Sequence, residues 1–139
     1  NGNAGEFTGL LPPERREDRP TLHLLRTLLE ADGRRFDSIE AMLAALPGDD
    51  PIIDRWAERA QAQLEAILSA VAAIVDPEAI VLGGRLTPAL ADALIARSAF
   101  YTAPVRDRDR PFPPLLRSRV EADATALGAA ALAFGDHFF

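Results

Sequence analysis

The chain has 139 residues, of which 48% are hydrophobic and 26% charged, values typical of one folded globular domain. Its formal net charge of -6 argues against a DNA-binding segment, because affinity for a phosphate backbone rests on a clustered basic surface. It contains no cysteine and no lysine, which excludes disulfides, cysteine-based zinc sites, lysine-dependent phosphate loops and Schiff-base enzymes.

A polar segment precedes two predicted short helices. Residues 11–20 are rich in proline and in charged side chains, which predicts a solvated loop. Thr21 is expected to start a helix with a leucine-rich face, and Gly33 is expected to end it. Ser38 is expected to cap a second helix over residues 39–46, which a Pro-Gly pair stops.

The strongest structural prediction is one long amphipathic helix from Pro51 to Val75. Asp50 suits the N-cap and Pro51 the first helical position, and apolar residues from Ile53 to Ile74 recur at helical spacing. At 1.5 Å per residue the helix would be about 37 Å long. Its single tryptophan, Trp56, is expected in the core. Asp76-Pro77 is expected to end the helix, because a residue before proline disfavours the helical region.

A short apolar run follows the long helix. Residues 79–82 predict a strand buried on both faces of an α/β sheet, and Gly83-Gly84 predicts a turn after it. Ligands bind at the ends of such strands. The residues alone leave open whether the glycines serve a ligand or only a tight turn.

The remaining elements are a helix, a loop, a strand and a final helix. Thr87 and Pro88 are expected to begin a helix that reaches about Ser98. Residues 102–114 predict a loop. The arginines over residues 102–119 resemble an anion-binding patch, but the interleaved Asp107 and Asp109 favour a solvated face. Residues 115–122 are expected to form an edge strand, and residues 124–134 a helix of small residues.

The sequence shows none of the standard catalytic motifs. The two histidines, His23 and His137, are far apart, and neither a nucleophile elbow nor a zinc-protease motif is present. The sequence also shows neither a signal-peptide pattern nor an apolar stretch long enough to span a bilayer, which predicts a cytoplasmic protein without membrane contact.

Three segments of the sequence resemble the motifs of a known protein family. In chain order they read Gly-Asn-Ala-Gly-Glu at residues 2–6, Val-Asp-Pro-Glu-Ala-Ile-Val-Leu-Gly-Gly at 75–84, and Asp-Ala-Thr-Ala-Leu-Gly-Ala-Ala at 123–130. Together they resemble the ROK family (repressor, open reading frame, kinase). The resemblance spans nearly the whole chain, from Gly2 to Ala133.

The resemblance implies an α/β fold of the ribonuclease-H-like, actin-like ATPase type, as in hexokinases. Residues 1–139 would form one domain, the helix-rich C-terminal lobe with few strands, and would begin inside a larger domain whose N-terminal lobe and any helix-turn-helix lie elsewhere. Family members hold ATP and sugar between two lobes. Gly83 and Gly84 match the family's glycines beside the nucleotide, so ATP is a possible cofactor.

The resemblance also assigns sugar-binding residues. Glu6 matches the family's sugar-binding glutamate, with Asn3 in the same motif, and His23 falls where a second sugar-contacting glutamate stands if residues 19–23 align with the family's next motif. The alternative for His23 is an ordinary histidine on a helix surface. After Glu6 this chain reads Phe-Thr-Gly and lacks both the family's histidine and its cysteine cluster, so no structural zinc or other metal is expected.

The family contains sugar kinases and sugar-responsive transcriptional regulators. The missing motif residues favour the sugar-sensing and dimerisation part of a regulator that is not catalytically competent alone. A sugar or sugar phosphate would be its effector, a homodimer its assembly, and DNA would be contacted by another segment. The competing interpretations are a divergent, zinc-free kinase for a hexose or hexosamine, and a lobe that survives only as a dimerisation module.

Overall fold

The computed structural model describes residues 12–15, 17–98 and 113–120. This part of the chain is a mixed α/β structure with many helical residues and few strand residues, as predicted. After a short 3-10 helix at Pro13–Arg15, its elements are α1 (Leu22–Ala31), α2 (Ile39–Ala45), α3 (Pro51–Val75), β1 (Ile80–Leu82), α4 (Pro88–Arg97) and β2 (Leu115–Arg117).

The four α-helices of the described residues each begin directly after the residue predicted to start or cap them. Each capping side chain accepts a hydrogen bond from a backbone N–H in the first turn, which satisfies a donor that the helix itself leaves unpaired. The capping residues are Thr21, Ser38, Asp50 and Thr87, with distances of 3.2, 3.0, 3.0 and 3.4 Å to their N–H donors.

Two of the helix ends also follow the predicted signals. Gly33, just after α1, has a φ of 79°, so the chain turns there in a conformation that favours glycine. Asp76, which precedes Pro77, has a φ of 50° and ends α3 in the left-handed region.

The core lies between α1, α3 and α4. Trp56 of α3 is fully buried, as predicted, and its Nε1 donates a 3.0 Å hydrogen bond to the carbonyl of Thr21 at the start of α1. The buried hydrophobic residues are Leu24, Leu25, Leu28, Leu29, Met42, Ile52, Ile53, Trp56, Ala57, Ala60, Leu64, Leu68, Leu90, Ala91 and Leu94. This packing fixes α1 and α4 against the first two-thirds of the long helix.

The two strands pair in parallel, and helix α4 lies between them in the chain. Ile80 lies opposite Leu115, Val81 opposite Leu116 and Leu82 opposite Arg117. Ile80, Leu82 and Leu115 pack against the helical core. A strand, helix and parallel strand in this order form a βαβ unit.

The prediction that β1 is buried on both faces is wrong for the described part of the chain. Val81 is 60% exposed and its partner Leu116 is 47% exposed. Successive side chains of a strand point to opposite faces, and the described helices cover only the face of Ile80 and Leu82. A continuous apolar run does not reveal how many faces are covered, so the sequence pattern was misleading here.

The predicted apolar stripe of α3 also extends beyond the core. Full burial along the helix ends at Leu68, although Ala72 still packs against the core, and Ile74 is 80% exposed. No helix among the described residues is long and apolar enough to cross a membrane.

Other element boundaries differ from the sequence predictions by short stretches. The loop predicted over residues 11–20 contains the 3-10 helix, α2 ends one residue early, and both strands are shorter than predicted. Residues 102–112 of the predicted loop, the last two residues of the predicted edge strand, and the predicted helix over residues 124–134 lie outside the described residues.

Candidate functional site

The carboxyl ends of β1 and β2 form the candidate site. Parallel strands place these ends at one edge of the sheet, where α/β folds bind ligands. Gly83 follows β1 and Ser118 follows β2. The N–H of Ser118 donates a 2.8 Å hydrogen bond to the carbonyl of Leu82, which continues the ladder past the end of both strands.

Gly83 is required by close packing between the two strand ends. A Cβ atom at this position would lie 2.9 Å from the Cβ of Ser118, closer than real Cβ atoms approach. Any larger residue at position 83 would therefore push the strand ends apart. This requirement exists whether or not a ligand binds.

Gly84 is required by backbone conformation. Its φ is 89°, in a region that side-chain-bearing residues rarely adopt, while the space in front of it is open. The turn predicted after β1 thus contains a backbone conformation that favours glycine. Both glycines therefore have a structural reason, and both residues are exposed to solvent.

Two arginines that the sequence interpretation did not single out flank the turn at Gly83 and Gly84, which we call the glycine turn. Arg85 follows the turn and donates to the carboxylate of Glu40 on α2, and Arg117 at the end of β2 donates to Asp92 of α4 at 2.7 Å. Arg117 was predicted to belong to a solvated face among interleaved aspartates. Its observed partner instead comes from the crossover helix, which only the parallel pairing of β1 and β2 brings near.

The pKa of Glu40 lies below its ordinary value. A hydrogen bond from its own backbone N–H is the largest cause, followed by the positive charge of Arg85 and a hydrogen bond from Ser38. Glu40 is therefore ionised at neutral pH and holds Arg85 at the side of the glycine turn.

The groove beside the strand ends is small. Its free volume is about 10 Å³, which is room for about one water molecule. It is lined by Leu82, Gly83, Leu86, Pro88, Ala91, Arg117, Ser118 and Val120. The residues that line this groove thus do not enclose a nucleotide-sized cavity, and a nucleotide here would need a second wall.

Of the predicted sugar-binding residues, the structure describes only His23. His23 is exposed in the first turn of α1, where its carbonyl accepts a 3.1 Å hydrogen bond from Thr27, and its side chain does not line the groove. Asn3 and Glu6 lie outside the described residues, as does His137. Within the described ranges, no three histidine, aspartate or glutamate side chains are grouped so that they could hold a metal ion.

Comparisons with known proteins add a distant relative. A protein of Sinorhizobium fredii described as the uncharacterized protein y4fQ is 31% identical over 125 residues, which is 88% of this chain and 31% of that protein. The chain thus spans about a third of the length of this relative. No family model and no solved structure matches the chain.

Proposed function

We propose that the chain is the C-terminal part of a ROK-type domain and works as the sugar-sensing and dimerisation part of a transcriptional regulator. The observation that carries the proposal is the unit formed by β1, the glycine turn, α4 and β2, which follows the 25-residue helix α3. The ribonuclease-H-like lobe, the homodimer and the location in the cytoplasm belong to the same proposal.

The glycine turn supports the proposal that this edge of the sheet derives from a nucleotide-binding site. In the family that the chain resembles, the equivalent glycines lie beside ATP in a cleft between two lobes. Here Gly83 and Gly84 are exposed at the carboxyl end of a parallel strand, which suits a surface that forms one wall of such a cleft. The proposal requires sugar binding, whereas ATP binding is optional for a sensor.

The departure from the family motif after Glu6 favours a sensor over a kinase. Phosphoryl transfer needs an acceptor hydroxyl held within a narrow range of positions, and misplacement by about 1 Å can cost roughly a hundredfold in rate. This chain has Phe-Thr-Gly where the family has its sugar-orienting histidine. Binding alone tolerates that loss better, because Glu6 can still accept hydrogen bonds from sugar hydroxyls.

The exposed face of the two strands supports the proposal that this chain is one part of a larger domain. Parallel sheets are normally covered on both faces, yet Val81 and Leu116 are exposed side by side. In the proposed two-lobed domain, another part of the domain covers this face.

Isothermal titration calorimetry tests the proposal with glucose, N-acetylglucosamine and their 6-phosphates. Wild-type protein is expected to bind at least one of the four saturably, and Glu6→Gln is expected to weaken that binding at least tenfold. Glu14→Gln is the matched control, since Glu14 is an exposed glutamate of the 3-10 helix. A protein that is dimeric by sedimentation but binds none of the four would contradict sugar sensing and favour a pure dimerisation module.

A further inference from the structure

A second surface depression lies far from the glycine turn along the chain. It is a depression of about 490 Å³ between α1 and the segment of residues 33–38. Small-molecule sites typically have volumes of about 300–1,000 Å³. Its lining residues are Arg26, Glu30, Arg35, Phe36 and Asp37.

The segment that forms one wall of this depression is held in place along its length. The N–H of Arg34 donates a 2.9 Å hydrogen bond to the carbonyl of Leu29, which fixes the turn after Gly33. The guanidinium of Arg34 donates to both carboxylate oxygens of Asp50, at 2.5 and 3.1 Å. Phe36 packs against the core. A wall with so many contacts is preformed, so a ligand need not order it on binding.

Alternation along this segment places two opposite charges on the same side. Arg34, Phe36 and Ser38 are half-buried, whereas Arg35 and Asp37 are exposed. Both exposed residues line the depression, on the same stretch of its wall. Arg35 and Asp37 therefore face the depression together.

These two charges are unpaired, although most arginines among the described residues form ion pairs. Seven arginines in the described part of the chain form ion pairs with a carboxylate: Arg26, Arg34, Arg55, Arg59, Arg85, Arg97 and Arg117. Within the same residues, Arg35 and Asp37 make neither an ion pair nor a hydrogen bond, with each other or with a neighbour. The other two charges of the depression neutralise each other, because Arg26 donates to Glu30 at 2.9 Å.

We propose that this depression binds a small zwitterion with an apolar group, the chemistry of an aromatic α-amino acid. The planar guanidinium of Arg35 receives the carboxylate, Asp37 receives the ammonium group, and the exposed part of Phe36 contacts the ring. A ligand with only one charge would leave the other side chain unpaired beside it. The proposal is independent of the sugar-sensing function, since it uses neither Glu6 nor the glycine turn.

An NMR titration of the ¹⁵N-labelled full chain tests this proposal with L-phenylalanine as the probe. Saturable shifts of the backbone amides of residues 26–37 are expected in the millimolar range. Phenylpropionate, which lacks the ammonium group, and phenethylamine, which lacks the carboxylate, are each expected to bind about fivefold more weakly, the scale of one exposed charge pair. L-Alanine, which lacks the ring, is expected to bind more weakly as well.

Charge-removing variants locate the binding. Arg35→Ala and Asp37→Asn are each expected to weaken L-phenylalanine binding about fivefold. Their matched controls, Arg119→Ala and Asp49→Asn, remove exposed charges outside the depression and should leave affinity within twofold. The proposal is overturned if L-phenylalanine produces no saturable shifts, if phenylpropionate binds as tightly as L-phenylalanine, or if the two site variants bind like their controls.

Discussion

At the residue scale, the two adjacent glycines are needed for different reasons. The sequence pattern of a strand followed by Gly-Gly was enough to predict a turn, and the positive φ of Gly84 agrees with it. The contact between Gly83 and Ser118 was beyond the sequence, because it depends on parallel pairing with a strand that begins more than thirty residues later. The sequence thus predicted the turn at the glycines, but not the close approach of Gly83 to Ser118.

Gly84→Val is expected to destabilise the protein by about 1–3 kcal/mol, because a β-branched residue is strained at positive φ. Thermal unfolding of the ligand-free protein measures the effect. Gly48→Ala is the control, since a Cβ at position 48 meets its nearest neighbour at an ordinary 3.5 Å. If Gly84→Val melts like wild type, the glycine has no conformational role and the structural explanation is wrong.

Gly83→Ala is also expected to destabilise the protein, by about 1–3 kcal/mol through overpacking against Ser118. Ser118→Gly removes the atom that the new methyl group would meet. In a double-mutant cycle followed by urea unfolding, the second substitution should therefore recover part of the loss. Strictly additive effects of the two substitutions would show that the contact between the strand ends does not limit residue 83.

At the scale of the elements, helix starts were predictable and their tertiary partners were not. Thr21, Ser38, Asp50 and Thr87 cap through contacts within a few residues, so the local sequence contains the whole signal. The pairing of Asp50 with Arg34 depends on how α1 folds back on α3, which no local pattern encodes. The exposure of Val81 escaped prediction for the same reason, since it depends on which layers cover the sheet.

The ion pair between Asp50 and Arg34 predicts that the stability of the protein depends on pH. The hydrogen bond from Arg34 is the main cause that lowers the pKa of Asp50, and the N–H of Ile52 and the charge of Arg34 add to it. A carboxylate with a lowered pKa contributes stability that is fully present above its unfolded pKa, near 4, and is lost as the pH falls through the folded pKa. Asparagine also caps helices, so Asp50→Asn isolates the effect of the charge.

Melting temperatures of wild type and Asp50→Asn, measured between pH 2 and 7, test this dependence. The variant should melt lower at pH 5–7, and the gap should close as the pH falls below about 4. Asp49→Asn is the matched control, since it removes a neighbouring exposed carboxylate that does not cap α3. A gap of constant size over the whole range would show that ionised Asp50 contributes nothing through its pairing.

At the scale of the whole molecule, the α/β class and most element positions followed from the sequence, while the site followed only in part. Gly83 and Gly84 lie at the predicted strand end, but the arginines beside them come from elements that only the fold brings together. The sugar-binding assignments of Asn3 and Glu6 lie outside the described residues and remain predictions. His23 is an exposed residue of α1, and its assignment to sugar binding likewise remains a prediction.

The absence of cysteine predicts a protein that does not depend on zinc. Metal analysis of the purified chain should find well below one equivalent of zinc, and a chelator should leave the melting temperature unchanged, because no metal contributes to the folding free energy. Zinc near one equivalent, together with a lower melting temperature after chelation, would reveal a site that the sequence interpretation missed.

If the chain senses a sugar without phosphorylating it, the same protein sample binds a sugar and yet shows no turnover. One protein sample is titrated with glucose and N-acetylglucosamine, and their 6-phosphates, by calorimetry and then assayed for ADP release with ATP and Mg²⁺. The predicted result is saturable binding of at least one of these ligands, abolished or strongly weakened in Glu6→Gln, with ADP release at background. Sugar-dependent ADP release above background would contradict the account and identify a kinase.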